Sequence, residues 1–284
     1  MSRPRRILVA LALAGLAGAP LSAEIRHESF RAPSLGRDVP YLVDLPEGYG
    51  GGTRYPVLYV LHGLFEEYDF WERRGLAPVL AELRAGGAVP DFVVVSVDGH
   101  SSFFANSALG RYEDLVVEDL VAHVEASLDV IPEPAARAIA GVSMGGYAAL
   151  RIAFKHPERF AAVATHSAML LRQIPSAAAG ARRGHMRAFS QVFGDPIDPE
   201  AWRAADPLAW ARRAGDETPP LYFDCGAQDR YGLSRGHQAL HGILEERGVE
   251  HEFALHPGDH GYAYVRGVLE RSLRFVGRHL AAPR

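Results

Sequence analysis

Arg137-Ala138-Ile139-Ala140-Gly141-Val142-Ser143-Met144-Gly145-Gly146 runs from an apolar strand into a turn with little room for side chains. Its centre, Gly141 to Gly145, has the Gly-x-Ser-x-Gly pattern of a nucleophile elbow. Ala138, Ile139 and Ala140 suit a strand packed on both faces, and Tyr147-Ala148-Ala149-Leu150-Arg151-Ile152-Ala153 suits a helix. A serine at such a turn has a strained backbone, and the residues where strand and helix crowd must be small. Gly141 and Gly145 meet that need.

Outward from this turn, short strands are predicted over 25–30 and 39–45, split by Pro33-Ser34-Leu35-Gly36. A strand over 55–61 ends on His62-Gly63, and one over 91–97 holds Phe92-Val93-Val94-Val95, continuous enough in apolar character for a sheet centre. Leu115, Val116, Leu120, Val121, Val124 and Leu128 predict a helix over 112–128. Strands over 160–164, 221–225 and 250–255 and helices over 77–84, 234–246 and 262–279 complete the alternation. This order implies an α/β fold, mostly parallel through right-handed crossovers, with an antiparallel start and helices on both faces.

Residues 169–214 exceed an ordinary connection and carry Met186, Phe189, Phe193, Trp202 and Trp210 together with Arg172, Arg182, Arg183 and Arg187. They are expected to form a helical cap over the catalytic pocket; the alternative is a helical excursion packed beside the sheet.

A serine hydroxyl needs a histidine to take its proton and an acid to orient that histidine. In this kind of fold the chain order is serine, acid, histidine, each just past a strand end. Asp229, in the turn after Leu221-Tyr222-Phe223-Asp224-Cys225, is the candidate acid, and Asp224 within the strand is its rival. His260, between the last strand and the terminal helix, is the candidate base, with His256 as its rival. Two backbone N–H groups must also face the oxyanion; Met144 follows the nucleophile, and Leu64 follows His62-Gly63 after the third strand.

Leu61-His62-Gly63-Leu64, Gly141-Val142-Ser143-Met144-Gly145-Gly146-Tyr147, Asp224-Cys225-Gly226-Ala227-Gln228-Asp229 and Pro257-Gly258-Asp259-His260 resemble, as a set, the esterase D / antigen 85 group of α/β-hydrolases. Tyr112-Glu113-Asp114 ahead of the elbow is similar too, and the likeness covers residues 41–280. It implies an α/β-hydrolase fold and a cofactor-free serine carboxylesterase, with Ser143, Asp229 and His260 as triad and Leu64 and Met144 as oxyanion donors. That group spans short-chain, feruloyl and acetyl-xylan esterases, S-formylglutathione hydrolases, siderophore-ester hydrolases and mycolyl transferases. The expected substrate is therefore a small-molecule, glycan or lipid ester. Transfer of the acyl group to a sugar or lipid hydroxyl is the alternative to hydrolysis, and a non-catalytic binding module the third possibility.

With 284 residues and a net charge of −4, the chain suits one large α/β domain and gives no electrostatic reason to expect nucleic acid as a partner. The single cysteine, Cys225, excludes an intrachain disulfide and is expected in the core. His237 and His241, four apart on a predicted helix, are read as an exposed pair and not as metal ligands. Arg3, Arg5 and Arg6, the apolar stretch 7–16 and small residues up to Ala23 have the layout of a secretory signal peptide. The expected organisation is a cleaved signal over 1–23 and a hydrolase domain over 24–284, exported to the periplasm or medium, without stable membrane insertion. An uncleaved N-terminal anchor is the alternative, and oligomeric state is left open.

Overall fold

The computed structural model describes residues 24–176 and 182–284; the expected signal segment lies outside the described residues. Eight strands form one sheet: β1 (Glu24–Ala32), β2 (Arg37–Leu45), β3 (Val57–Leu61), β4 (Val93–Val97), β5 (Arg137–Val142), β6 (Ala162–His166), β7 (Leu221–Gly226) and β8 (His251–His256). Their spatial order is β1-β2-β4-β3-β5-β6-β7-β8. β2 runs antiparallel to both β1 and β4, and every later pairing is parallel. This is the α/β-hydrolase arrangement, and it places β3 and β5 side by side at the centre.

The strand pleat sends alternate side chains to opposite faces. Val57, Tyr59 and Leu61 of β3 join one apolar cluster, while Leu58 and Val60 join the other. Two helices, α1 (Leu76–Ala85) and α7 (Tyr262–His279), cover the second cluster through Leu76, Leu80, Leu83, Val265, Leu269 and Val276. The opposite face is covered by a helical stretch over 112–127, by α2 (Met144–Lys155) and by α6 (Ser234–Arg247).

The predicted helix over 112–128 forms, but its middle, Leu115–Leu120, is a π-helical segment with Leu115, Val116, Val117 and Leu120 buried. The sequence spacing anticipates the buried face but not the widened turn. Within 169–214 lie α3 (Arg183–Phe193), α4 (Pro199–Ala205) and α5 (Pro207–Ala211), the last two capped by Asp198 and Asp206 side chains. Phe189, Phe193 and Trp202 from this segment pack on Phe103 and Tyr147, with Phe103 and Phe189 stacked at 5.1 Å. The segment therefore extends the core on one side. Its residues Met169 to Ser176, with Arg182, His185 and Phe189, form a cavity wall on the other.

Candidate active site

Ser143 follows the last residue of β5 and caps α2 with φ 52° and ψ −111°. Such a conformation costs a non-glycine residue about 1–3 kcal/mol and persists only where surrounding contacts impose it. Here they do. The Ser143 N–H donates to the His166 carbonyl at 3.0 Å, and the Ser143 carbonyl accepts from Tyr147 and Met169 N–H groups, both at 2.9 Å. The glycines permit the crowding: a Cβ on Gly141 would lie 2.3 Å from the Gly145 backbone, and one on Gly145 would lie 2.3 Å from Leu61 O. Gly146, not singled out from sequence, is confined as well, since its Cβ would meet Ala168 at 2.9 Å.

Asp229 and His260 come from adjacent loops at the same sheet edge. Gly226, ending β7, allows the two loops to touch, because a Cβ there would lie 2.5 Å from Gly258 O. Gln228 N–H donates to Gly258 O, and Gly258 N–H donates back to Gln228 Oε1 at 2.8 Å. Across this junction His260 Nδ1–H donates to Asp229 Oδ2 at 2.8 Å. Burial would raise the Asp229 carboxyl, but the His260 hydrogen bond and charge, with N–H groups of Tyr231 and Leu233, hold it below its ordinary value. The Tyr231 ring and the imidazole pack in a T shape, 4.8 Å between centroids.

Ser143, Met144, Gly63, Leu64 and His260 all line one cavity of about 1150 Å³. Among the described residues no hydrogen bond joins Ser143 Oγ to the imidazole; such contacts are often long in free enzymes and tighten when substrate binds. Met144 is the first residue of α2, so its N–H has no partner within the helix. The Leu64 peptide is fixed from behind. His62 Nδ1–H donates to Gly63 O at 2.8 Å, while His62 Nε2 accepts the Gly99 N–H at 2.9 Å. Because Gly63 C=O and Leu64 N–H belong to one planar unit, the imidazole that holds the carbonyl also aims the N–H. Ser143, Met144, Leu64 and His260 thus line one space, and Asp229 reaches it through its hydrogen bond to His260.

The rivals are placed elsewhere. Asp224 is wholly buried and accepts hydrogen bonds from Tyr222, Tyr264 and His166, at 2.7, 2.7 and 2.9 Å. His166 Nε2 in turn lies 2.9 Å from Ser272 Oγ, so a second serine–histidine–aspartate chain runs beneath the elbow. Ser272 is buried in α7 and its hydroxyl donates to Leu269 O, which leaves this chain inaccessible. Its partners are dispersed over more than a hundred residues, and nothing local in the sequence marks it. His256 does not line the cavity.

Of two minor expectations, one holds and one does not. Cys225 is buried as expected; its S–H donates to Asp229 Oδ2 at 3.6 Å, and burial pushes the thiol well up from its ordinary value. His237, by contrast, is fully buried and bonds Leu233 O, so the pair with His241 is not exposed. His241 instead meets His251 at 2.8 Å.

An open elbow on a β-sheet and a carboxylate-braced imidazole beside one cavity define the layout of an α/β-hydrolase. The chain belongs to the esterase family described as "Putative esterase", whose profile matches residues 32–276. An endo-1,4-beta-xylanase/feruloyl esterase of Xylanibacter ruminicola is 31% identical over 48% of this chain, which spans 20% of that protein. The diacylglycerol acyltransferase/mycolyltransferase Ag85A of Mycobacterium tuberculosis is 27% identical over 80% of this chain and 69% of its own length. Among solved structures, a ferulic acid esterase superposes with a TM-score of 0.77 at 22% identity, covering 92% of this chain and all of that one.

Proposed function

We propose that the chain is an exported serine carboxylesterase working through an acyl-enzyme on Ser143. The observation that carries this reading is the Asp229–His260 hydrogen bond, with His260 and a strained Ser143 both lining one cavity. In the first half-reaction Ser143 Oγ attacks the ester carbonyl carbon while His260 takes its proton. Leu64 and Met144 N–H groups hold the oxyanion, and the Asp229 carboxylate stabilises the imidazolium. Collapse expels the alcohol, which leaves with the proton from His260. Water then adds to the acyl carbon by the same route, releasing the acid and restoring the Ser143 hydroxyl.

Membership of the esterase family and the likeness to the xylanase/feruloyl esterase support ester hydrolysis. The likeness to Ag85A supports a second reading, in which a sugar or lipid hydroxyl replaces water. The composition of residues 1–23 supports export. No helix of the described residues is long and apolar enough to cross a membrane.

Ser143→Ala is the direct test. Hydrolysis of 4-nitrophenyl acetate is expected to fall by about 10⁵- to 10⁶-fold, with the folded state retained. Fluorophosphonate labelling of the wild type and its loss in the variant would assign the nucleophile. Undiminished turnover in the variant rejects it. A product assay with candidate acceptors separates hydrolysis from transfer, since only transfer makes a new ester.

A further inference from the structure

The charges around the cavity are unbalanced. Arg74, Arg172, Arg182, Arg230 and Arg235 line it against a single acidic residue, Glu66. Glu66 pairs with Arg74 at 3.2 Å, and Arg230 is paired with Asp259. Arg172, Arg182 and Arg235 form no ion pair among the described residues, and 1–23 and 177–181 contain no Asp or Glu that could supply one. These three come from separate parts of the chain: the start of the 169–214 segment, the approach to α3, and the first turn of α6. The N-terminus of α6 adds partial positive charge at the same wall, where Leu233, Arg235 and Gly236 line the cavity.

Apolar surface accompanies the charge. Phe65, Ile174 and Tyr231 are among the most exposed large apolar side chains of the described residues, and all three line this cavity. The Arg182 guanidinium lies 5.9 Å from the centre of the Tyr231 ring. His185, nearby, is held below its ordinary value by burial and then by Arg182 and His260, in keeping with positive potential there.

On the esterase reading, we propose that this cavity selects esters bearing an anionic oxygen group, a carboxylate or a phosphate, remote from the scissile bond. Phe65, Ile174 and Tyr231 take the apolar body of such a molecule, and Arg172, Arg182 and Arg235 take the anion. A guanidinium presents a planar fork of donors suited to either group, and three uncompensated cations at a cavity wall raise the local concentration of an anionic substrate. The site adds no chemical step; it changes which ester reaches Ser143.

Matched esters test this. Hydrolysis of phenyl acetate is compared with that of 4-acetoxybenzoate and 4-acetoxyphenyl phosphate, and 4-nitrophenyl valerate with mono-4-nitrophenyl glutarate, each corrected for its rate with hydroxide. The anionic member is expected to lead in kcat/KM by about tenfold at low salt, mainly through KM, with the lead shrinking as salt rises. The two aromatic anions distinguish carboxylate from phosphate. The triple variant R172Q/R182Q/R235Q should bring the ratio towards one. Arg187→Gln, on α3 but outside the cavity lining, should leave it unchanged.

Hydrolysis of both members of every pair without preference, or a preference that survives the triple substitution, overturns this proposal alone. Failure to hydrolyse any of them overturns the esterase reading itself and this proposal with it. Loss of binding to phosphatidylglycerol vesicles in the triple variant, with no ester selectivity in the wild type, would assign the arginines to a lipid surface instead.

Discussion

His260 Nδ1 and Asp229 Oδ2 lie 2.8 Å apart, and the aspartate side chain is fully buried behind the imidazole. The carboxylate therefore meets solvent only through the histidine it braces. Asp229→Asn replaces an acceptor with an amide that favours the wrong imidazole tautomer. We expect kcat for 4-nitrophenyl acetate to fall by about 10⁴-fold with an unaltered circular dichroism spectrum.

Asp224→Asn is the informative contrast. This carboxylate serves Tyr222, Tyr264 and His166, and it stands below its ordinary value because His166 and these hydrogen bonds outweigh burial. Its loss should lower the thermal midpoint markedly while the surviving folded fraction keeps most of its turnover. Inactivation equal to that of Asp229→Asn at full stability would reverse the two assignments.

Leu64→Ala removes a side chain and keeps the N–H proposed to hold the oxyanion, so kcat should change little. Leu64→Pro deletes that N–H. A fall of about 10²- to 10³-fold in kcat is expected, with KM nearly constant. Equal rates in the two variants would exclude Leu64 as a donor.

Gly145→Ala tests the elbow's packing. The added Cβ would lie 2.3 Å from Leu61 O and 2.7 Å from His62 O, backbone atoms at and just past the end of β3 that cannot rotate away. Overpacking of this kind costs about 1–3 kcal/mol, and more where backbone must shift. The midpoint of urea unfolding should drop accordingly, and the loss of activity should exceed the loss of fold.

Glu113 predicts the acid behaviour. Its carboxylate bonds Arg151 at 2.9 Å, Lys155 at 2.6 Å and His156 at 3.1 Å, and Arg151 also reaches Phe103 O and Phe104 O. Burial alone would raise it; His156, Arg151 and Lys155 hold it well below its ordinary 4.5. A group depressed in the folded state contributes its stability in full above its unfolded value, here about 4.5, and loses it as pH falls towards the folded value. Glu113→Gln should therefore cost about 3–5 kcal/mol at pH 7, leaving Arg151 uncompensated, and less below pH 4. A constant difference between pH 7 and pH 3 in urea titrations would count against this.

The elbow was readable because glycine, serine and flanking apolar residues each act locally: strand, turn and helix follow from ten consecutive positions. The 262–279 helix agrees with the structure at both ends for the same reason, its boundary set by the Gly261 turn and its face by regular spacing. Position past a strand end favours Asp229 over Asp224 and His260 over His256, and the favoured two are the ones the structure joins by a hydrogen bond. What stayed hidden depends on remote partners. Asp224 acquires its role from Tyr264 and His166, and His237 is buried because α6 turns that face to Phe223. The arginines of the cavity come from three segments that only the folded chain brings together. The π-helical turn at Leu115–Leu120 preserves the apolar face, so spacing could not betray it.

Cys225 is the chain's only sulfhydryl, and it is sealed within the sheet beside Asp229. The molecule is consequently silent to maleimides while folded. A cysteine introduced at position 187, on the exposed side of α3, would carry a fluorophore at one defined point with the native sulfur left in place. Whether that helix shifts against the sheet during turnover then becomes a direct measurement in solution.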